Sequence, residues 1–180
     1  MVIVELSVGF ASLAAIKDQQ YESSSATTVS VIVPACNEEE NLEAGLRSLA
    51  AQKHEQLEII VVNDRSTDGT GEAIDRVRGE FPQIRRIDIE ELPPGWLGKP
   101  HALQKGAEAA TGDYLLFTDA DVVLETTTVS RAVAAMKQKN LDHLALVFKN
   151  STSGGLLNAI VADIGAGLLW LIKPWRAVVG

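Results

Sequence analysis

The residues best suited to chemistry are two carboxylates one position apart, Asp119 and Asp121, which close the apolar run Tyr114-Leu115-Leu116-Phe117. Side chains alternate along a strand, so aspartates separated by one residue are expected to point the same way. Two hard oxygen donors on one side form half of a site for Mg²⁺ or Mn²⁺, with the phosphates of a ligand supplying the rest. Asp-x-Asp by itself is a short pattern and also occurs as a polar turn at the end of a strand. Here it has company upstream.

Pro34-Ala35-Cys36-Asn37-Glu38 ends one apolar run and opens a helix. A helix N-terminus offers N–H groups and partial positive charge to a nucleotide or phosphate. Asn37, with Glu40 three residues on, also fits a capping box, which is a purely structural role. Asn63-Asp64-Arg65-Ser66-Thr67-Asp68-Gly69-Thr70 is a second polar cluster. Asp64 stands first beyond a predicted strand, placed to accept hydrogen bonds from a base or ribose. Asp68 is better explained as a cap for the next helix, with Gly69 permitting the turn. In Gly95-Trp96-Leu97-Gly98-Lys99-Pro100-His101, the glycines allow close backbone approach and Lys99 can neutralise a phosphate. His101 reads as a surface residue of the first helical turn.

The elements that must carry these clusters alternate. Strands are predicted at Val29–Val33, Glu58–Val62, Ile84–Ile89 (edge-like), Tyr114 onward and Leu144–Phe148. Helices are predicted at Glu38–Ala51, Thr70–Val77, Pro100–Ala110 (ended by Gly112) and Thr127–Lys137. Apolar strands separated by amphipathic helices indicate an α/β domain, a mostly parallel, Rossmann-like sheet with helices on both faces. Ligands of such sheets bind beyond the carboxyl ends of the strands, where the strand order switches. Three polar clusters follow strands and therefore land on one rim.

Composition narrows the partner. The chain has 180 residues, 46% of them hydrophobic and 22% charged, which suits one ordinary globular domain. Its net charge of −8 argues against nucleic acid, whose backbone needs clustered Lys and Arg. An acidic protein can still bind a phosphorylated small molecule when a metal bridges the like charges. The lone Cys36 excludes an internal disulfide framework, fits a reducing (cytoplasmic) compartment and reads as a small packing residue. Residues 1–28, polar and Ser-rich toward their end, read as a loose segment and linker before a domain at 29–150. Val2–Ile16 is short and broken by Glu5. Residues 151–180 are apolar, and Ile160–Ile172 ends in Lys173-Pro174-Trp175-Arg176, which suits a buried packing helix or a helix lying at a membrane interface.

Taken together, Val29-Ser-Val-Ile-Val-Pro-Ala-Cys-Asn-Glu-Glu, Ile60-Val-Val-Asn-Asp-Arg-Ser-Thr-Asp-Gly-Thr, Gly98-Lys99 with Gly106, and Gly112-Asp-Tyr-Leu-Leu-Phe-Thr-Asp-Ala-Asp resemble glycosyltransferase family 2. The resemblance runs from Val29 to about Glu125. It implies a GT-A fold and an inverting, metal-dependent transfer of sugar from a nucleotide-sugar donor, usually UDP-linked. By it, Asp119 and Asp121 hold the divalent metal and donor diphosphate. Asp64 binds the base; Pro34, Ala35, Asn37 and Glu38 line the nucleotide pocket; Lys99 reaches the diphosphate or sugar. Leu92-Pro-Pro-Gly-Trp-Leu-Gly-Lys is similar to members that glycosylate isoprenoid-type lipids, which implies a lipid acceptor and contact with the cytoplasmic face of a membrane.

The resemblance also implies a carboxylate base downstream of Asp121, usually in an acidic pair. None stands there: Asp142 and Asp163 lie in no such motif, so no catalytic base is assigned. The chain therefore reads as a donor-binding part, with a catalytically incomplete nucleotide-sugar-binding fragment as the alternative. Phe117-Thr-Asp-Ala-Asp-Val-Val also resembles the nucleophile motif of haloacid-dehalogenase-type phosphotransferases, where Asp119 would be phosphorylated and Asp121 would act as acid/base. In that family the motif lies on an early strand; here it comes late.

Overall fold

The computed structural model describes residues 27–144 and 146. Among the described residues four strands form one parallel sheet: β1 (Val29–Ala35), β2 (Leu57–Asp64), β3 (Ile84–Ile89) and β4 (Tyr114–Phe117), in the order β3-β2-β1-β4. Four helices connect and follow them: α1 (Leu42–Ala50), α2 (Thr70–Glu80), α3 (Gly98–Ala109) and α4 (Thr128–Lys139). The α/β class and the parallel sheet are as the alternation predicted. The order reverses between β1 and β4, so the switch point lies directly beside Asp119.

The two faces of the sheet carry unequal layers. Val31, Val33, Ile59 and Val61 point to one face, where they pack with Leu42, Leu46 and Leu49 of α1, Ala73, Ile74 and Val77 of α2, and Val129 and Val133 of α4. Ile60 and Val62 point to the other, against Ala102 of α3. A Cβ on Gly106 would collide with the Ile32 side chain, so this glycine lets α3 lie close on β1. Among the described residues α3 alone packs on this face, and Leu115 and Phe117 of the apolar β4 are 44% and 49% exposed.

Several boundaries differ from expectation. β1 and β2 run two residues further, to Ala35 and Asp64, because parallel pairing continues through Pro34↔Val62 and Ala35↔Asn63. Asp64 is thus the last strand residue rather than the first beyond it. α1 begins at Leu42, after a turn, with Asn41 at its cap. Gly112 does not end α3; a Cβ there would press on the Ser30 backbone nitrogen at 2.6 Å, so its work is close approach to β1. Cys36 is exposed rather than packed. The predicted strand at Leu144–Phe148 and the apolar stretch at 151–180 lie largely or wholly outside the described residues, as do residues 1–26. No helix among the described residues is long and apolar enough to cross a membrane.

Candidate functional site

The carboxyl ends of β1, β2 and β4 bring the expected residues to one rim, though not by the expected means. β4 stops at Phe117, and the last ladder bond is donated by Thr118 N–H to the Ile32 carbonyl at 3.2 Å. Asp119-Ala120-Asp121 is a turn, with Val122 N–H reaching the Asp119 carbonyl at 3.4 Å. Strand alternation consequently does not set the two carboxylates. Ala120 does: it is buried at 4% exposure while both aspartates stand in solvent.

The rim's first two loops are zipped together. Asn37 has φ +56°, a left-handed conformation that asparagine tolerates, and its Oδ1 accepts from Thr67 N–H at 2.8 Å. The capping box expected from Asn37 and Glu40 is absent for that reason. In return Asn37 N–H donates to Ser66 Oγ at 3.1 Å, Glu38 N–H to Thr70 Oγ1 at 2.8 Å, and Glu39 N–H to Asp68 Oδ2 at 3.3 Å. The N–H groups that were expected to await a phosphate are already engaged. Asp68 also accepts from Thr70 N–H at 3.0 Å, the structural role read for it; these bonds from Thr70 hold its carboxyl below the usual range. Pro34 is half-buried, while Ala35 sits in the core at 1% exposure and offers the rim almost no surface.

Asp64 is buried, and a salt bridge closes over it. Arg65 Nε reaches Oδ1 at 2.7 Å and a terminal nitrogen reaches Oδ2 at 3.1 Å. The pairing raises the Arg65 guanidinium further, mainly through the Asp64 hydrogen bond. Sequence reasoning passed over Arg65, whose φ of +55° turns it back onto its neighbour. A Cβ on Gly98 would meet Asp64 Oδ2 at 2.6 Å and the Arg65 guanidinium at 2.8 Å. Glycine is required there for the α3 N-terminus to reach the β2 end. The next residue, Lys99, places Nζ 2.6 Å from Asp119 Oδ1. The dipeptide Gly98-Lys99 therefore links the buried carboxylate of Asp64 to the exposed one of Asp119.

His101 is not on the surface. It is 6% exposed, its Nδ1 has no hydrogen-bond partner, and its ring lies 5.3 Å from that of Trp96 at 58°. The rim also carries exposed apolar residues: Trp96 at 39% and Leu97 at 73% just before Lys99, and Val123 at 65% just after Asp121. Between α3 and the exposed side of Phe117, a depression of about 450 Å³ is lined by Leu103, Gln104, Ala107, Glu108 and Phe117.

No group of three His, Cys, Asp or Glu able to hold a metal occurs among the described residues. The donor set thus does not fit a closed protein site. It does fit a cation shared with a ligand: two exposed carboxylates one residue apart, one already accepting a cationic ammonium.

A family model described as glycosyl transferase family 2 matches residues 30–163. Phe117–Val123 lies inside that match, which sets aside the phosphotransferase reading. The 4,4'-diaponeurosporenoate glycosyltransferase of Staphylococcus haemolyticus is 35% identical over 116 residues, covering 64% of this chain and 30% of that protein. The poly-beta-1,6-N-acetyl-D-glucosamine synthase of Staphylococcus aureus is 33% identical over 97 residues, 54% of this chain and 22% of that protein. The chain spans less than a third of the length of these curated relatives. Among solved structures, the mannosyltransferase PcManGT from Pyrobaculum calidifontis in complex with GDP-Man and Mn²⁺ superposes with a TM-score of 0.62 at 28% identity, over 75% of this chain and 39% of that one. S. aureus TarS 1–349 in complex with UDP superposes with a TM-score of 0.61 at 28% identity, over 71% and 37%.

Proposed function

The chain belongs to glycosyl transferase family 2, and from that premise we propose that it forms the donor-binding part of an enzyme that transfers sugar from a UDP-linked donor with inversion. The observation that supports this is the Gly98-Lys99 bridge, which brings the Asp64 carboxylate and the Lys99 ammonium to one rim beside Asp119, where a base and a diphosphate could be held together. Asp64 takes the base, with Arg65 swinging aside or stacking on it. Asn37, Glu38 and Pro34 flank the nucleotide, and Lys99 transfers its charge from Asp119 to the diphosphate. Asp119 and Asp121 would hold a divalent metal, Mn²⁺ or Mg²⁺, which supplies positive charge to offset the departing nucleoside diphosphate. In inversion the acceptor oxygen bonds to the anomeric carbon from the face opposite the breaking sugar–phosphate bond, and its proton passes to a carboxylate.

Titration of UDP into the chain, with and without Mn²⁺, beside an Asp121→Ala variant, tests the donor site. Metal-dependent binding that the variant loses is the expected result. Absence of UDP binding to the folded native chain would overturn it.

The acceptor we infer is a lipid, because Trp96 and Leu97 just before Lys99 and Val123 just after Asp121 are exposed apolar residues, read here as an apolar collar of the rim. The same collar would bring the rim to a membrane face. Vesicles with brominated acyl chains should quench tryptophan emission in the native chain, and less so in Trp96→Phe. Equal quenching in both would assign the contact to Trp170 or Trp175 and sink the collar.

A further inference from the structure

Gly45 lies in the middle of α1, where glycine is about 1 kcal/mol less favourable than alanine. Its neighbour across the packing explains it. A Cβ at Gly45 would collide with the Ala120 carbonyl oxygen and lie 3.3 Å from both the Ala120 carbonyl carbon and the Val122 carbonyl oxygen. The helix therefore touches the one buried residue of the Asp119-Ala120-Asp121 turn by its bare backbone.

The contact continues along α1 and into the residues just after it. Ser48 Oγ donates to the Gly45 carbonyl at 2.8 Å and accepts from Leu124 N–H at 3.1 Å. Gln52 is 8% exposed; its Nε2 donates to the carbonyls of Glu125 at 2.8 Å and Ser48 at 3.1 Å, and its Oε1 accepts from Val129 N–H at 3.1 Å. Lys53 N–H donates to the Thr126 carbonyl at 2.7 Å. Gly45 and Ser48 are three residues apart, hence on one side of α1, and Gln52, just beyond the end of the helix, is tied to that side by its bond to the Ser48 carbonyl. Residues 118–127 form neither helix nor strand, so their backbone groups need outside partners, and Ser48 of α1 with Gln52 and Lys53 just after it provide several of them.

We propose that Gly45, Ser48 and Gln52 form a cradle that sets the height of the Asp119–Asp121 turn, making Gly45 a positioning residue for carboxylates it does not touch. Any side chain at 45 lifts Ala120 and carries both aspartates away from the Lys99 and diphosphate position. This rests on the donor-site reading above for its consequence, but not for its geometry. Partners that orient metal ligands are commonly worth about 10–100-fold in metal affinity.

The test uses the full chain in two measurements. UDP is titrated with and without Mn²⁺ into the native chain, Gly45→Ala, Ser48→Ala and Gln52→Ala. Gly45→Ala should lose about tenfold or more of the Mn²⁺-dependent gain while its metal-free UDP affinity stays within about twofold, because the atoms an added Cβ meets first belong to Ala120 and Val122. A gain that survives intact, or a fall of the same factor without metal, overturns the proposal. Should Gly45→Ala not fold, the serine and glutamine variants decide by the same comparison. Amide hydrogen exchange, read in parallel without ligand, should quicken at Leu124 in Ser48→Ala and at Val129 in Gln52→Ala. Unchanged exchange at both overturns the cradle. A native chain with no Mn²⁺-dependent gain would sink the donor-site reading, and exchange alone would then judge the cradle.

Discussion

The two ends of the sheet are built from similar residues and treat their polar groups in opposite ways. At the amino end Glu58 accepts from Ser30 Oγ at 2.6 Å, from Thr111 N–H and Oγ1 at 2.6 and 2.7 Å, and from Arg85 at 3.1 Å. Gly112 N–H donates to Ser30 Oγ at 2.8 Å, and Thr28 and Asp113 exchange three hydrogen bonds of 2.9 Å. At the carboxyl end Asp119 has an exposed lysine on one oxygen. Two buried atoms there, Asn63 Oδ1 and His101 Nδ1, have no hydrogen-bond partner among the described residues. Buried polar groups are ordinarily satisfied, and exceptions gather where a ligand is handled. The amino end is a closed seam; the carboxyl end is an open one whose partners can be exchanged.

The largest effect on stability is expected from cutting the closed seam. Glu58→Ala leaves Ser30, Thr111 and Arg85 without their shared acceptor, at a cost of about 3 kcal/mol. For a domain of this size that lowers the thermal midpoint by about 6–12 °C. The folded variant should still bind UDP as the native chain does, since the seam lies at the far end from the rim. A midpoint within about 2 °C of native would show that the seam is decorative.

The same residue carries the acid dependence. Burial pushes the Glu58 carboxyl up, but the bonds from Ser30, Thr111 and Arg85 outweigh it and hold it at about 2 against an ordinary 4.5. A carboxyl lowered by folding stabilises fully above its unfolded value. That contribution, on the order of 3 kcal/mol at most, fades as the pH falls from about 4.5 toward 2. Denaturant midpoints between pH 5 and 2.5 should therefore fall more steeply for the native chain than for Glu58→Gln. Parallel curves would place the acid sensitivity elsewhere.

Legibility in the sequence follows the same division. Apolar periodicity located each described strand and helix, and β3 falls at Ile84–Ile89 as read. Those elements are set by burial, which leaves a pattern in the residues themselves. The polar rim is set by tertiary pairing, which does not. Asn37 reads equally well as a helix cap or as a left-handed acceptor for Thr67, and only the second loop decides. His101 looks like a surface residue until Trp96 folds over it. Gly45 did leave a signal, since a glycine inside an amphipathic helix usually has a packing reason, but its partner Ala120 lies 75 positions away.

The smallest stability effect, and the sharpest contrast with Glu58, is expected at Lys99. Its side chain is 59% exposed and that of Asp119 is 53% exposed, so their 2.6 Å contact is made largely in water. Exposed pairs of this kind contribute little, and Lys99→Met should move the thermal midpoint by no more than about 2 °C. Binding should respond in two opposite senses. The ammonium competes with any cation for Asp119, and removing a unit charge at such a distance in a watery setting is worth about 1 kcal/mol, or roughly fivefold. Mn²⁺ alone, followed by loss of its free-ion paramagnetic resonance signal, should therefore bind Lys99→Met more tightly than the native chain. UDP in saturating Mn²⁺ should bind it less tightly, because the diphosphate loses a cationic partner. If both affinities fell together, Lys99 would be a strut of the rim. If the midpoint fell as far as in Glu58→Ala, the distinction between a closed seam and an exchangeable one would collapse.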